Sequence, residues 1–406
     1  MNRLRLLIFG WLLITGVILL QPSQAAPAIP AAASPGALDT TFDPGAGADD
    51  IVFAIALQSN NQVLIGGQFT HVNGATHNCI ARLNANGSLD ATYNPSVTGT
   101  GFVGLTSLAL QSDGKVVIGG AFAQVNGTGR VNIARLNDDG TLDTTFDPGA
   151  GVTGTFPYLN AVRLQSDGKP IIGGVFTTVG TTARNNIARL TTTGALDTTF
   201  DPGTGTNDEV SAIAIQPSDG KVLIGGAFTT VNGATHHRLA RLNTNGSVDS
   251  AFNPDIGDGA VLAIAVQSDG KILIGGTFTT VNSTARNRLA RLDANGSLDT
   301  TFNPNANNDV DAIALQPDGK SVIGGNFITV GGTERVRIAR LNTNGTLDTT
   351  FDPGAGAVGW TVYAVTLQPD GKVLIGGAFQ KVGGVARNRI ARLYGDAFVF
   401  LPLILR

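Results

Sequence analysis

GALDTTF, Gly36–Phe42, is the stretch on which the fold turns. The same phrase returns as GSLDATY at Gly87–Tyr93, as GTLDTTF at Gly140–Phe146, and four times more. Every later copy follows a run ending in ARL. The first copy has no such run before it, and the last ARL run, in Ile390–Tyr394, has no such phrase after it. An orphan phrase at one end of the repeats and an unfinished repeat at the other predict a ring closed by its own two ends.

The tripeptide IGG occurs seven times, beginning at Ile65, Ile118, Ile172, Ile224, Ile274, Ile323 and Ile375, at intervals of 49 to 54 residues. ARL also occurs seven times, and so does the [LV]D-x-x-[FY] phrase when the orphan is counted. A regular period of this length is the signature of a repeat architecture. Each unit holds four short β-like runs. In the second unit these are Leu105–Gln111, Val116–Phe122, Asn132–Leu136 and Thr141–Phe146, separated by SDGK, a longer polar loop and NDDG. Asp-Gly and Asn-Gly pairs supply the positive φ angles of tight hairpins. No segment sustains a 3.6-residue apolar period, so helix is not expected. Four strands in each of seven units predict an all-β, seven-bladed β-propeller with four-stranded blades, the N-terminal strand completing the last one. Pairing the termini also removes an exposed sheet edge.

The phrases ALQxDGKVLIGG and ARLNxNGSLDTTF resemble the delta-60 repeat family, bacterial exported propeller repeats of unknown function. The resemblance covers residues 36–394 and rests on the DGK turn together with NGSLDTTF. It implies the fold and an exported location, but no activity. A weaker likeness to kelch propellers rests on apolar residues before a double glycine, and the Tyr and Trp that kelch repeats place downstream are missing here.

Arg3 and Arg5, the apolar run Leu6–Leu20 and Ser23-Gln24-Ala25 have the layout of a signal peptide over residues 1–25. The run is short for a membrane span. Residues 26–35 form a Pro/Ala linker, 36–395 the propeller, and 396–406 an apolar tail suited to packing on the disc or to surface attachment. A secreted or cell-surface protein is therefore expected, most simply a monomer. Cys79 is the only cysteine and reads as a small buried residue at a strand start. A net charge of −3 argues against nucleic acid, which requires a basic face.

Residues that recur in all seven units read as scaffold. With the turn centred on Asn86, Leu83 faces Leu89 and Arg82 faces Asp90, so an Arg–Asp pair is expected in every blade, Arg392 taking Asp39 through closure. Asp293, Asn295, Ser297 and Asp299 alternate somewhat as calcium ligands do, but the glycine falls one place early and no Glu follows. The pattern is that of an Asn-Gly hairpin, and no cofactor is expected.

Variation concentrates in the loops between the second and third runs and in the blade links, so a ligand surface is expected on the face they share. There His77, Arg130, Arg184, His236, Arg286, Arg335 and Arg387 stand four residues before the start of ARL, one per unit. Pointing outward they would form a positive rim suited to an anionic glycan or an acidic protein. Tyr158 and Trp360, with Phe102, Phe156 and Tyr363, add aromatic candidates for sugar or protein contacts. With two Glu and four His in 406 residues, and no nucleophile elbow, zinc motif or phosphate loop, the chain reads as a binding module. The alternative is an extracellular polysaccharide hydrolase or lyase, which would need symmetry-breaking carboxylates at the channel mouth.

Overall fold

The DGK and NG turns fold each repeat into antiparallel hairpins, seen here in a computed structural model that describes residues 34–396. The signal-peptide reading, most of the linker and all of the tail beyond Asp396 fall outside those residues. Each blade has three ladder strands, ordered inner, middle, third. In blade 3 they are Tyr158–Leu164, Pro170–Val175 and Ile187–Arg189. The middle strand of every blade carries IGG and is buried along the tripeptide, being covered by the blade on either side.

Its two glycines have separate jobs. A Cβ on Gly173 would come within 2.6 Å of Val210 Cγ1 on the inner strand of the next blade. A Cβ on Gly174 would come within 2.1 Å of the Tyr158 carbonyl, where the register of its own hairpin shifts between Leu159 and Ala161. The first glycine allows blades to nest, and the second accommodates a bulge.

The fourth run of each blade is shorter than the sequence suggested. Leu89, Leu142, Leu196, Val248, Leu298 and Leu347 each form one isolated bridge to the leucine of the adjacent ARL. The chain then turns away, because the following Asp caps it. In blade 2, Asp143 Oδ1 accepts from Thr145 N at 3.0 Å and from Thr145 Oγ1 at 2.6 Å. That local capture of the backbone competes with continued pairing.

The closure is as expected. Leu38 bridges Leu393, Gly36 N donates to Tyr394 O at 2.7 Å, and Asp39 N donates to Arg392 O at 2.8 Å. Phe42 is fully buried beneath the Arg392 guanidinium, whose carbon is 4.9 Å from the ring centroid. The expected Leu83–Leu89 and Arg82–Asp90 facings also hold, the ion pair being 2.8 Å long.

One layer was not anticipated. The polar loop between middle and third strands is itself a hairpin of two-residue strands, such as His71–Val72 with Ala75–Thr76. Its first strand pairs with the preceding blade link, as Val72 does with Ala48 and Val231 with Thr206. The irregular face is therefore stitched by backbone hydrogen bonds.

Candidate binding site at the channel mouth

The inner strands enter the ring from the blade links, so their first residues surround the central channel on the irregular face. One residue per blade stands at the same register there: Phe53, Thr106, Asn160, Ser211, Leu262, Asp311 and Tyr363. Seven near-identical repeats thus place seven different residue types around one opening. Phe53 and Tyr363 touch, with ring centroids 5.2 Å apart. Glu209 joins the mouth from the link into blade 4, and its carboxylate accepts a 3.0 Å hydrogen bond from the Tyr158 hydroxyl. Asp311 Oδ2 and Ser211 Oγ are buried without a hydrogen-bonding partner. Burial, reinforced by the neighbouring charge of Asp309, pushes the Asp311 carboxyl up to about 7.

A cleft of about 830 Å³ opens beside the mouth between blades 2 and 3, sharing Thr106 and Asn160 with it. Its walls are mostly apolar, with Phe102 and Phe156 at the rim, 53% and 87% exposed. Tyr158 lines the same cleft. An aromatic pocket carrying a few convergent polar groups is the usual form of a small-ligand site. Trp360 is 70% exposed on the first strand of blade 7, Ala357–Leu367, outside the cleft lining.

The basic positions before ARL do not form an outward rim. His77, His236, Arg286 and Arg387 are buried, and Arg130, Arg184 and Arg335 are only partly exposed. Arg130, Arg184 and Arg387 reach Asp147, Asp201 and Asp43 at 3.9, 3.5 and 3.5 Å. Where the unit has Asn in place of that Asp, at Asn94, Asn253 and Asn303, the basic residue is His77, His236 or Arg286. All seven leave one buried side-chain nitrogen, Arg Nε or His Nδ1, without an acceptor, a feature that repeats around the ring and so belongs to the scaffold. His77 and His236, read from sequence as surface residues, lie inside it.

The residue directly before the third strand has positive φ in all seven blades: Cys79, Asn132, Asn186, Arg238, Arg288, Arg337 and Arg389. Asn132 Nδ2 donates to the link carbonyl of Val152 at 2.9 Å and Arg238 Nη1 to that of Ile256 at 2.8 Å, whereas Arg389 Nη1 reaches Ala378 O of its own middle strand at 2.6 Å. Cys79 fills this place as a buried thiol whose pKa burial pushes up to about 11, far from a reactive thiolate.

The DGK lysines are scaffold too, not free turn residues. Lys115, Lys169, Lys221, Lys271, Lys320 and Lys372 bring Nζ to the Oδ2 that the ARL arginine already holds, at 2.7 to 3.3 Å. In blade 1, Gln62 stands in, donating to Asp90 Oδ2 at 3.2 Å. The calcium-like oxygens are engaged in the same way. Asn295 Oδ1 accepts from Ser297 N, Asp299 is shared by Arg291, Lys271 and Thr301, and Asp293 faces Lys271.

Blades, closure and channel make the protein a seven-bladed β-propeller. The chain belongs to the family described as domain of unknown function (DUF5122) beta-propeller, whose model matches residues 58–93, 111–146, 165–200, 218–252, 267–302, 316–351 and 368–396. Among curated proteins no relative matches. Of solved structures, the WD40 β-propeller domain of Doa1 is 17% identical, with 89% of this chain and 97% of that one covered and a TM-score of 0.58. A virginiamycin B lyase from Staphylococcus aureus is 14% identical over 86% and 96%, TM-score 0.54. A streptogramin B lyase is 14% identical over 88% and 97%, TM-score 0.51. Likeness at these identities speaks for the fold alone.

Proposed function

We propose that this chain is an exported, monomeric propeller of the delta-60 type that binds a saccharide at the channel mouth and the adjoining aromatic cleft. The observation that carries this reading is the ring of seven dissimilar residues at the mouth, set in repeats that are otherwise nearly alike. A sugar offers apolar ring faces and hydroxyl edges. Phe102, Phe156 and Tyr158 suit the former, and Glu209, Asn160 and Thr106 suit the latter. The leader-like residues 1–25 support secretion or display at the cell surface. No helix among the described residues is long and apolar enough to cross a membrane.

A second reading has one observation in its favour. Glu209 and Asp311 are two carboxyl groups at a single mouth, with Asp311 held up near neutrality. A protonated acid beside a carboxylate is the pairing that glycoside hydrolysis uses. Glycan-array screening of the full chain separates these readings. Binding to one glycan class that falls at least tenfold in Phe156→Ala supports the saccharide site. Array binding that Phe156→Ala leaves unchanged, or capture of a protein with no glycan retained, defeats it. Cleavage of the bound glycan that stops in Asp311→Asn while binding persists would establish the enzyme.

A further inference from the structure

Below the mouth, the channel itself holds a feature that the cleft does not need. Arg163 lies on the inner strand of blade 3, Tyr158–Leu164, and lines a cavity of about 540 Å³ enclosed by the seven inner strands. At the equivalent position the other blades carry Ala56, Ala109, Ala214, Ala265, Ala314 and Thr366. A guanidinium has therefore been placed where six blades of seven keep a small side chain. Its one protein hydrogen bond runs from Nη1 to the carbonyl of the adjacent Val162, at 2.9 Å. Among the described residues it makes no ion pair, and its side chain is exposed to the channel.

Ten other arginines of the ring are matched to carboxylates. Those of the ARL motifs each hold a buried Asp, and Arg130, Arg184 and Arg387 also face carboxylates. Arg163 is the one arginine among the residues lining the channel, and its planar fork of donors matches the oxygens of a carboxylate or a phosphate. The same cavity is lined by Ser211 and Asp311, whose Oγ and Oδ2 are buried and unpartnered, and whose blades likewise depart from the common pattern. Asp311 is the only carboxyl among the lining residues. Its preference for the neutral form leaves the cavity with a positive bias below about pH 7.

We propose that the central channel is an oxyanion-binding site anchored by Arg163, taking the carboxylate or phosphate group of a small ligand. The cavity is of the size that holds such molecules. The site stands independently of the aromatic cleft, which Arg163 does not line.

Alanine at position 163 reproduces what five blades already have, so Arg163→Ala is compatible with the fold. The full chain is titrated calorimetrically with sodium glucuronate, with inorganic phosphate, and with glucose as the uncharged control. One site for glucuronate or phosphate, weakened at least tenfold in Arg163→Ala and unchanged in Phe156→Ala, is the expected result. Preference between the two anions identifies the source of the oxyanion. Thermal melts supply a second readout. The preferred anion should raise the melting temperature of the parent chain and not of the variant. Absence of binding by both anions, or equal binding by Arg163→Ala, would overturn the proposal.

Discussion

Replacing Asp39 by Ala tests the closure and the scaffold together. The Asp39 carboxylate is fully buried, and both of its oxygens are used. Oδ2 takes Arg392 Nε at 2.8 Å and Lys372 Nζ at 3.3 Å, while Oδ1 takes Thr41 N at 3.0 Å and Thr41 Oγ1 at 2.6 Å. Without it, Arg392 keeps only its Nη1 bond to Ala85 O at 2.8 Å and weaker contacts, inside a site where its side chain is 7% exposed. Stranding one partner of a buried ion pair costs about 3–5 kcal/mol. Unfolding entropy of about 2.1 cal/mol/K per residue gives roughly 0.8 kcal/mol/K for a ring of this size, so the melting temperature should fall by about 4–7 °C. Asp90→Ala removes the same group from blade 1, but there both side chains are 11% exposed and Gln62 replaces the lysine. Its loss should be smaller. The Asp39 pair also joins residues 353 apart in sequence, whereas the Asp90 pair joins residues 8 apart, so only the former holds the two ends together. Circular dichroism melts of both variants, checked for reversibility, decide the matter. An Asp39→Ala shift no larger than that of Asp90→Ala would refute the reasoning about closure.

Two further outcomes concern protons. At Asp39 burial alone would raise the pKa, but hydrogen bonds from Thr41 and the Arg392 charge more than reverse this, holding it at about 2. The other six carboxylates of the set are lowered in the same way. Because these folded-state values lie below the unfolded one, their stabilisation is present above about pH 4. It drains away as pH falls through 2, and chemical denaturation measured between pH 5 and pH 2 should show that loss. Asp311 behaves oppositely: with a folded value of about 7, its contribution is full below the unfolded pKa and disappears as pH rises through 7. Asp311→Asn should therefore leave stability unchanged near pH 4 and raise it at pH 8, by at most about 4 kcal/mol. Equal melting shifts at both pH values would dispose of the raised carboxyl.

The blade number, the closing strand and the Arg–Asp facing were legible in the sequence because each is a repeated, local consequence of spacing. IGG, ARL and the [LV]D-x-x-[FY] phrase recur seven times each, and turn chemistry sets which residues lie opposite. The outer run was overread as a full strand. LDTTF has strand-like composition, but the Asp–Thr side-chain bonds that fold it back after one bridge belong to a turn. The small hairpins on the irregular face were hidden in two-residue strands, although V-N-G-A-T at Val72–Thr76 carries their Asn-Gly signal. The basic positions failed for another reason. Sequence periodicity showed that His77, Arg130 and their counterparts were equivalent, yet gave no sign of which way they pointed. Their partners, Asp43, Asp147 and Asp201, lie at the end of the outer phrase, and the available clue was that every unit with Asp there has Arg at the basic position while both His units have Asn.

That contrast locates function within a repeat protein. A side chain present in all seven blades is explained by packing or by pairing, as the lysines and arginines around the buried aspartates are. A side chain present in one blade has no such explanation, because the other six show that the ring closes without it. Arg163, Asp311 and Glu209 meet this criterion, and the rim residues Phe102 and Phe156 share one register in two blades of seven. Three of the five line the channel or its mouth, and the other two border the cleft beside it. A carboxyl lifted to about 7 weakens the fold at neutral pH, while the seven-fold scaffold ion pairs hold the ring together. Residues that depart from the seven-fold pattern, and that gather along the axis of the ring, are where a ligand has to be sought.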